Sequence, residues 1–367
     1  MSTEQEAEEL SRPPRLMFVP VTGGQGLGEY SRCLTLALAA VRRWPGTRVR
    51  FVMDRAAPAI EDERIETLPI TGSPTYNSDK IIGWLEEDPP DVVVFDSTGR
   101  RFQLEAAGRL GAKRVIVGSR PSRRRRALRH RTMKRAEEIW LVEPSIQRRP
   151  LNPWERLKRR FAGRIEIVFL DALFPESDAP RRAALKEELG VGSERYVLFA
   201  PGGGGWRVAG RPAVEIFAEA ARLVRQATGI LTVLVTGPLY EGTVNEGPDV
   251  IVRRSMSPER FVDLMHDAEL LSIGGGSSVG QAVAMRKLVV AAPLGGSDQQ
   301  DRVAWYAGMG LVEACRPDAR ELARVVGDLV ADRERCRTML ARARSLRIRN
   351  GLDTALHRLS LLLAQDS

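Results

Sequence analysis

Histidine and cysteine are scarce in this chain of 367 residues, with three of each. Cys33, Cys315 and Cys336 are scattered and show no metal-ligand spacing. That argues against a zinc-type cluster and a disulfide framework, and fits buried thiols in a reducing cytoplasm. His130, His266 and His357 form no convincing cluster either. No apolar run approaches the ~20 residues that span a bilayer. A P-loop is excluded, because no G-x-x-x-x-G-K-[ST] occurs. GGQGLGEYS gives no G-x-G-x-x-G in any frame, since counting from Gly24 the last position is Glu29. A dinucleotide dehydrogenase is thereby disfavoured, although Asp54 closes a second strand where such enzymes hold a ribose. No D-x-D is present. MSTEQEAEEL is acidic and polar, unlike a secretory signal or transit peptide, so residues 1–13 are expected to be a disordered tail.

Charge is present but unevenly placed. The formal net charge is +9. Between Ser119 and Arg164 there are sixteen Lys and Arg against four Glu, a net of +12, so the remainder carries about −3. PSRRRRALRHRTMKR and WERLKRRFAGR hold most of the excess. A local basic zone is either a solvated face or a seat for an anionic partner. Residues 119–135 contain no aromatic, which argues against a nucleic acid. An anionic membrane surface is the alternative, with Arg123–Arg126 near head groups and Trp154 and Phe161 at the interface.

Short apolar runs without polar alternation recur along the chain: Arg15–Val21, Val49–Met53, Asp91–Phe95, Arg114–Val117, Glu138–Val142 and Arg164–Phe169. After the proline-bearing link Ala172–Arg182 come Arg195–Ala200, Leu231–Thr236, Val250–Arg253, Leu270–Ile273 and Lys287–Ala291. Such runs separated by helical stretches predict parallel sheets covered on both faces. The expected division is a domain over 14–172, a linker over 173–182, and a second domain over 183–367 ending in a helix. Glycine turns at 22–28, 201–205 and 274–276 each follow a predicted strand. In doubly wound sheets ligands bind beyond the carboxyl ends of the strands, so these turns are expected to line an interdomain cleft.

The organising stretch is Leu270–Gln300, LLSIGGGSSVGQAVAMRKLVVAAPLGGSDQQ. Gly274, Gly275 and Gly276 join a strand to a helix with no side chains between them. Ser277 and Ser278 are expected to cap that helix. Unpaired amides and the helix dipole there suit a phosphate or diphosphate.

Two Rossmann-like halves, a glycine turn after the first strand, and GGGSS…P…DQQ in the second half resemble the GT-B glycosyltransferases. Family 28 is the nearest by motif. GLGEYSRCLTLA, Gly26–Ala37, also resembles the UDP-sugar hydrolase of pseudaminic acid synthesis. The resemblance implies a cytoplasmic enzyme, one that can be peripheral at the inner membrane face. Its substrate would be a nucleotide sugar with uridine as the base, and it would need no further cofactor and no metal. An acceptor, which can be lipid-linked, would sit in the first half. Gly275, Gly276, Ser277 and Ser278 would hold the diphosphate. Gln281 stands where a ribose-binding Glu is usual, and Asp298, Gln299 and Gln300 where donor-sugar contacts lie. Arg254, Ser255 and Met256 would cradle the base. Gly24, Gly26 and Gly28 belong to the first turn. Gly203 and Gly204 would approach the phosphates beside Trp206, a stacking wall. Glu29 replaces the His that the hydrolase and many transferases carry, and is the first-choice general base, with Asp96 as the second. The same constellation also fits a nucleotide-sugar hydrolase or a non-catalytic binding protein. His266 is expected to pack within its helix and Cys33 within the core.

Overall fold

A computed structural model of the chain describes residues 12–22, 26–145 and 149–364. The chain divides into two units, one of Met1–Gly23, Glu29–Leu173 and Gly351–Ser367, the other of Gly24–Gly28 and Phe174–Asn350.

The first unit holds seven strands: β1 (Arg15–Pro20), β2 (Arg48–Asp54), β3 (Ile65–Ile70), β4 (Val92–Asp96), β5 (Lys113–Gly118), β6 (Glu138–Val142) and β7 (Glu166–Leu170). Their order in the sheet is 3-2-1-4-5-6-7, and every pairing is parallel. The expectation of a parallel sheet is met for a plain reason. Runs such as Val92–Phe95 are fully buried because helices cover both faces, so neither face can be polar. Met17, Val19, Val93, Phe95, Ile116 and Ile139 pack with Ile81, Leu85 and Leu104 of the covering helices. β3 was not foreseen. It is an edge strand, IETLPI, with exposed polar residues and a proline, and so lacks the apolar signature of the others. Arg12, within the expected tail, donates twice to the Asp91 carboxylate at the foot of β4, so that expectation fails at its last residues; positions 1–11 lie outside the described residues.

The second unit holds β8 (Tyr196–Ala200), a short antiparallel hairpin of β9 (Arg207–Val208) and β10 (Arg211–Pro212), then β11 (Leu231–Val235), β12 (Ile251–Arg253), β13 (Leu270–Gly274), β14 (Leu288–Ala292) and β15 (Glu313–Ala314). Its main sheet runs 12-11-8-13-14-15, again all parallel. Val197, Phe199, Leu234 and Val290 pack against Phe217 and Val224 of the helix Ala213–Thr228 and Leu322 and Val326 of Ala319–Ala331.

Two features depart from the expected division. The predicted linker runs into a helix, Ala179–Glu188, whose Asp178 side chain accepts from the Arg181 amide. The last helix, Leu352–Ala364, groups with the first unit and not the second. Leu352, Ala355, Leu359 and Leu362 are buried there, and Arg358 pairs with the buried Glu138 of β6. Nothing local in ALHRLSLLLA says which core its apolar face will meet.

Candidate active-site groups in the two units

Both sheets have a point where the strand order reverses, and each such point is flanked by the turns singled out in sequence. In the first unit it lies between β1 and β4. The helix Gly28–Arg43 follows the turn after β1, with Glu29 in its first turn, where the dipole favours a carboxylate. Ser97, directly after β4, takes a left-handed backbone at φ 61°, a costly conformation for a residue with a Cβ. Its amide donates to Val117 O at 3.2 Å, and the neighbouring Thr98 hydroxyl donates to Val19 O at 2.5 Å. The turn is thus tied to the strands on either side.

Glu29 is only 4% exposed. Its Oε1 receives Arg120 Nη2 at 3.1 Å and Ser97 Oγ at 3.4 Å, while Oε2 has a 3.4 Å contact from Arg120. Asp96 is fully buried and accepts from Arg32 Nε at 2.7 Å and Nη2 at 3.0 Å. Arg32 also donates to Ser119 Oγ at 3.1 Å. Burial pushes the Asp96 carboxyl above its ordinary range against the pull of Arg32. Asp96, the second-choice base, therefore anchors Arg32 and has no face toward solvent. Arg32, Arg120, Ser97 and Ser119 were not singled out in sequence. The signal that would have found them is a charged side chain one turn into an apolar helix, and polar residues directly after two strands.

Of the first turn, Gly24 lies outside the described residues. Gly26 has open space where a Cβ would stand, and Gly28 opens the helix. Asp54 closes a local turn, its amide bound to Thr22 Oγ1 and its carboxylate to the Ala56 amide. Cys33 is buried in the core as expected. His266 is not packed inside its helix; it faces outward to Asp267 at 3.1 Å.

In the second unit the reversal lies between β8 and β13. Here the glycines are required by close approach of backbones. A Cβ on Gly274 would stand 2.6 Å from Pro201 O, and one on Gly204 2.8 Å from Thr236 O and Tyr240 N. Gly203 O accepts the Leu239 amide at 2.9 Å. The Gly275 amide pairs with Ala292 O at 3.1 Å. Beyond it, among the described residues, the amides of Gly276, Ser277 and Ser278 meet no backbone acceptor. The serines do not cap as expected: Ser277 has helical angles and makes no cap bond, and the helix Ser278–Ala284 is seven residues long. Among the described residues, three amides without a backbone acceptor and two hydroxyls thus share a partly exposed turn.

Around that corner, Arg302 Nη1 donates to Gly275 O at 2.6 Å and fixes the glycine turn from below. It too was missed in sequence. Gln299 is buried, its Oε1 accepting the Leu294 amide at 2.9 Å, so it braces the turn after β14. Asp298 lies 3.6 Å from Arg302 and Gln300 is exposed. The Trp206 ring covers Gly295, where a Cβ would meet it at 2.5 Å. Arg254, Ser255 and Met256 form the partly exposed turn between β12 and the helix Pro258–Asp267, which Ser257 caps. Gln281 is half-buried on the helix behind Ser278.

No protein-family model matches the chain, and no curated protein matches it in sequence. Solved structures do match in fold. The spinosyn forosaminyltransferase SpnP superposes with a TM-score of 0.63 at 14% identity, covering 96% of this chain and 100% of that one. Arabidopsis thaliana UGT89C1 complexed with UDP gives 0.61 at 13%, covering 95% and 100%. Acinetobacter baumannii MurG gives 0.57 at 14%, covering 95% and 99%. All are glycosyltransferases, and the architecture they share with this chain, two Rossmann-like units with parallel sheets, is the GT-B fold.

Proposed function

We propose that this protein is a glycosyltransferase of the family 28 type that moves a sugar from a nucleoside diphosphate, with uridine as the base, to an acceptor hydroxyl. The observation that carries the reading is the corner at Gly276–Ser278. Three unpaired amides and two unengaged hydroxyls converge at the order reversal of the second sheet, where α/β sheets take anionic ligands. A diphosphate held there is a leaving group whose growing charge is met by fixed donors, which lowers the barrier without a metal. Trp206, which lies over Gly295, and the turn Arg254–Met256 are the candidates for sugar and base contacts. In the first unit, Glu29 is the candidate general base. Arg120 and Ser97 direct Oε1, and Oε2, which has only the 3.4 Å contact from Arg120, is the oxygen proposed to take the acceptor proton.

The acceptor is proposed to be membrane-borne, on a separate observation. The helix Pro153–Ala162 buries none of its residues. Trp154, Leu157 and Phe161 are 71%, 43% and 65% exposed, and their spacing puts them in one stripe. Lys158 borders that stripe on one side, Arg156 and Arg160 on the other. An outward apolar stripe between cations suits the interface of an anionic bilayer. The Arg123–Arg126 run takes no such part as a block, because Arg124 is buried against Glu143 and Glu155.

Incubation with UDP-, GDP- and TDP-sugars, with and without candidate acceptors, tests the enzyme. Sugar transfer from a UDP-sugar that falls in Glu29→Gln is expected. Free sugar released without any acceptor would make the protein a hydrolase, and failure of UDP to bind would remove the reading. For the membrane, wild type should sediment with anionic vesicles at low salt and Trp154→Ala/Phe161→Ala should not. Equal partition of the two would refute that part.

A further inference from the structure

The chain passes between its two units twice, from Leu173 to Phe174 and from Asn350 to Gly351. Hydrogen bonds tie the one passage to the other. On the second unit's side the Asn350 side chain behaves as a strand partner would. Its Nδ2 donates to Phe174 O at 2.7 Å, and its Oδ1 accepts the Phe174 amide at 3.3 Å. On the first unit's side the Gly351 amide donates to Ala172 O at 2.9 Å. Gly351 O then accepts the Ala355 amide at 3.0 Å and starts the last helix.

Both residue types have a reason to be there. An amide side chain offers a donor and an acceptor together, as the Phe174 peptide requires. A Cβ on Gly351 would stand 3.0 Å from Asp171 O and 3.2 Å from Asp171 N, so the close approach of backbones selects glycine. The result is Asn followed by Gly, and asparagine is chemically labile in that setting. With no Cβ to shield it, the Gly351 nitrogen can attack Asn350 Cγ. The N–Cγ bond forms, the Cγ–Nδ2 bond breaks, and ammonia leaves with the proton of the Gly351 amide. Water then opens the succinimide at either carbonyl, leaving an aspartyl or an isoaspartyl residue. The other asparagines, Asn77, Asn152 and Asn245, precede Ser, Pro and Glu.

The native contacts oppose each part of this step. The attacking nitrogen is committed to Ala172 O, and Gly351 is buried. The side-chain amide is held by two bonds to one peptide, so it cannot turn toward that nitrogen without breaking both. We propose that Asn350 is a covalent modification site, latent while these bonds hold, which deamidates once the paired passages open. The product does not re-form the lock. A carboxylate puts an oxygen where Nδ2 stood, so two acceptors face each other at Phe174 O. An isoaspartyl residue adds a carbon to the backbone just before Gly351 and displaces the start of the last helix. Conversion thus records opening and makes it permanent. This chemistry is independent of sugar transfer.

The test incubates the full chain at mildly alkaline pH, folded or in guanidinium chloride, and follows aspartyl and isoaspartyl at position 350 by peptide mapping and mass spectrometry. In the denaturant, conversion at Asn350 should outrun that at Asn77 and Asn245. In the folded chain it should be at least about tenfold slower than in denaturant, because the locking bonds must open first. Glu138→Gln and Arg358→Met each remove one member of the pair that holds the last helix, and each should speed conversion in the folded chain. Either variant serves if the other fails to fold. Equal rates in folded and unfolded chains overturn the proposal, as does folded-chain conversion that neither variant moves. Asn350→Asp carries the aspartyl product from the start. Its Tm should lie below that of wild type at neutral pH. The gap should narrow as pH falls through the ordinary carboxylate range, where a protonated carboxyl again donates to Phe174 O. A Tm equal to that of wild type at every pH would overturn the loss of the lock.

Discussion

Replacing Glu138 by Gln should loosen the last helix from the first unit, and the size of the effect can be worked from the contacts. Glu138 is 2% exposed. It accepts Trp140 Nε1 at 2.6 Å on Oε2 and Arg358 Nε at 3.1 Å on Oε1, with Arg358 Nη2 on Oε1 as well. Arg358 keeps about a quarter of its side chain in solvent. Breaking a fully buried ion pair costs about 3–5 kcal/mol, because the surviving charge is stranded. Partial exposure of Arg358 lets water recover some of that, and Gln retains one acceptor for Trp140, so a loss of about 2–3 kcal/mol is expected. For a unit of this size that lowers Tm by roughly 4–12 °C. Differential scanning calorimetry reads the loss, and amide exchange over Leu352–Ala364 reads where it falls. The Arg358→Met/Glu138→Gln pair completes a cycle. The double variant should be less destabilised than the sum of the singles, since both members of the pair are gone. Simple additivity, or exchange that rises everywhere except the last helix, would refute the reasoning.

Glu29→Gln should lower kcat about 10²–10⁴-fold with little change in donor KM, measured by steady-state transfer assays, because a general base acts on the acceptor proton and not on donor binding. Gly274→Ala should lose UDP binding and thermal stability together, since its Cβ would overlap Pro201 O at 2.6 Å; Gly276→Ala, with open space at its Cβ, should fold normally. Arg302→Gln should weaken UDP binding without a matching fall in stability, by releasing the Gly275 carbonyl. Acid should destabilise the first unit through Asp91, whose carboxyl is held below the ordinary range although burial opposes it, because Arg12 and Arg15 donate to it. That stability is present above the ordinary carboxylate pKa and is lost as pH falls through the lower folded value. Urea midpoints of Asp91→Asn should therefore fall less steeply below about pH 4 than those of wild type.

Most of the strand framework was legible because buried parallel strands are apolar on both faces, and DVVVF or RLMFVPV can be little else. Where burial is one-sided the signature fades, as in β3, and where an element is two residues long, as in β15, there is no pattern to read. The placement of Leu352–Ala364 was illegible for a different reason: an apolar helix face does not record its partner, and the deciding contact, Arg358 with Glu138, spans 220 residues. In the sites, glycines were legible because close backbone approach tolerates no other residue. Side-chain roles were less so. Asp96 read as a second-choice base at a strand end and Gln299 as a donor-sugar group in a loop, and both are buried and engaged, with Arg32 and the Leu294 amide. A sequence shows that a polar residue follows a strand, but not whether its partner arrives from 64 positions away.

The two order reversals are chemically unlike, and the difference is an argument about labour. The second unit's corner presents the amides of Gly276, Ser277 and Ser278 and two hydroxyls, all neutral donors, with Arg302 engaged on the Gly275 carbonyl beside them. Such a set binds an anion without changing its protonation, and its strength grows as negative charge accumulates. It suits a group that must leave with electrons. The first unit's reversal is built from ionisable groups in near-burial, Glu29 with Arg120 and Asp96 with Arg32. Charge there costs desolvation, which a merely structural turn would not need, and Ser97 adds backbone strain at the same place. The carboxylate with one less-engaged oxygen suits a group that must take up a proton. Under the proposed reading the first set would serve the leaving diphosphate and the second the acceptor proton, and a non-catalytic binding protein would have no use for the buried Glu29.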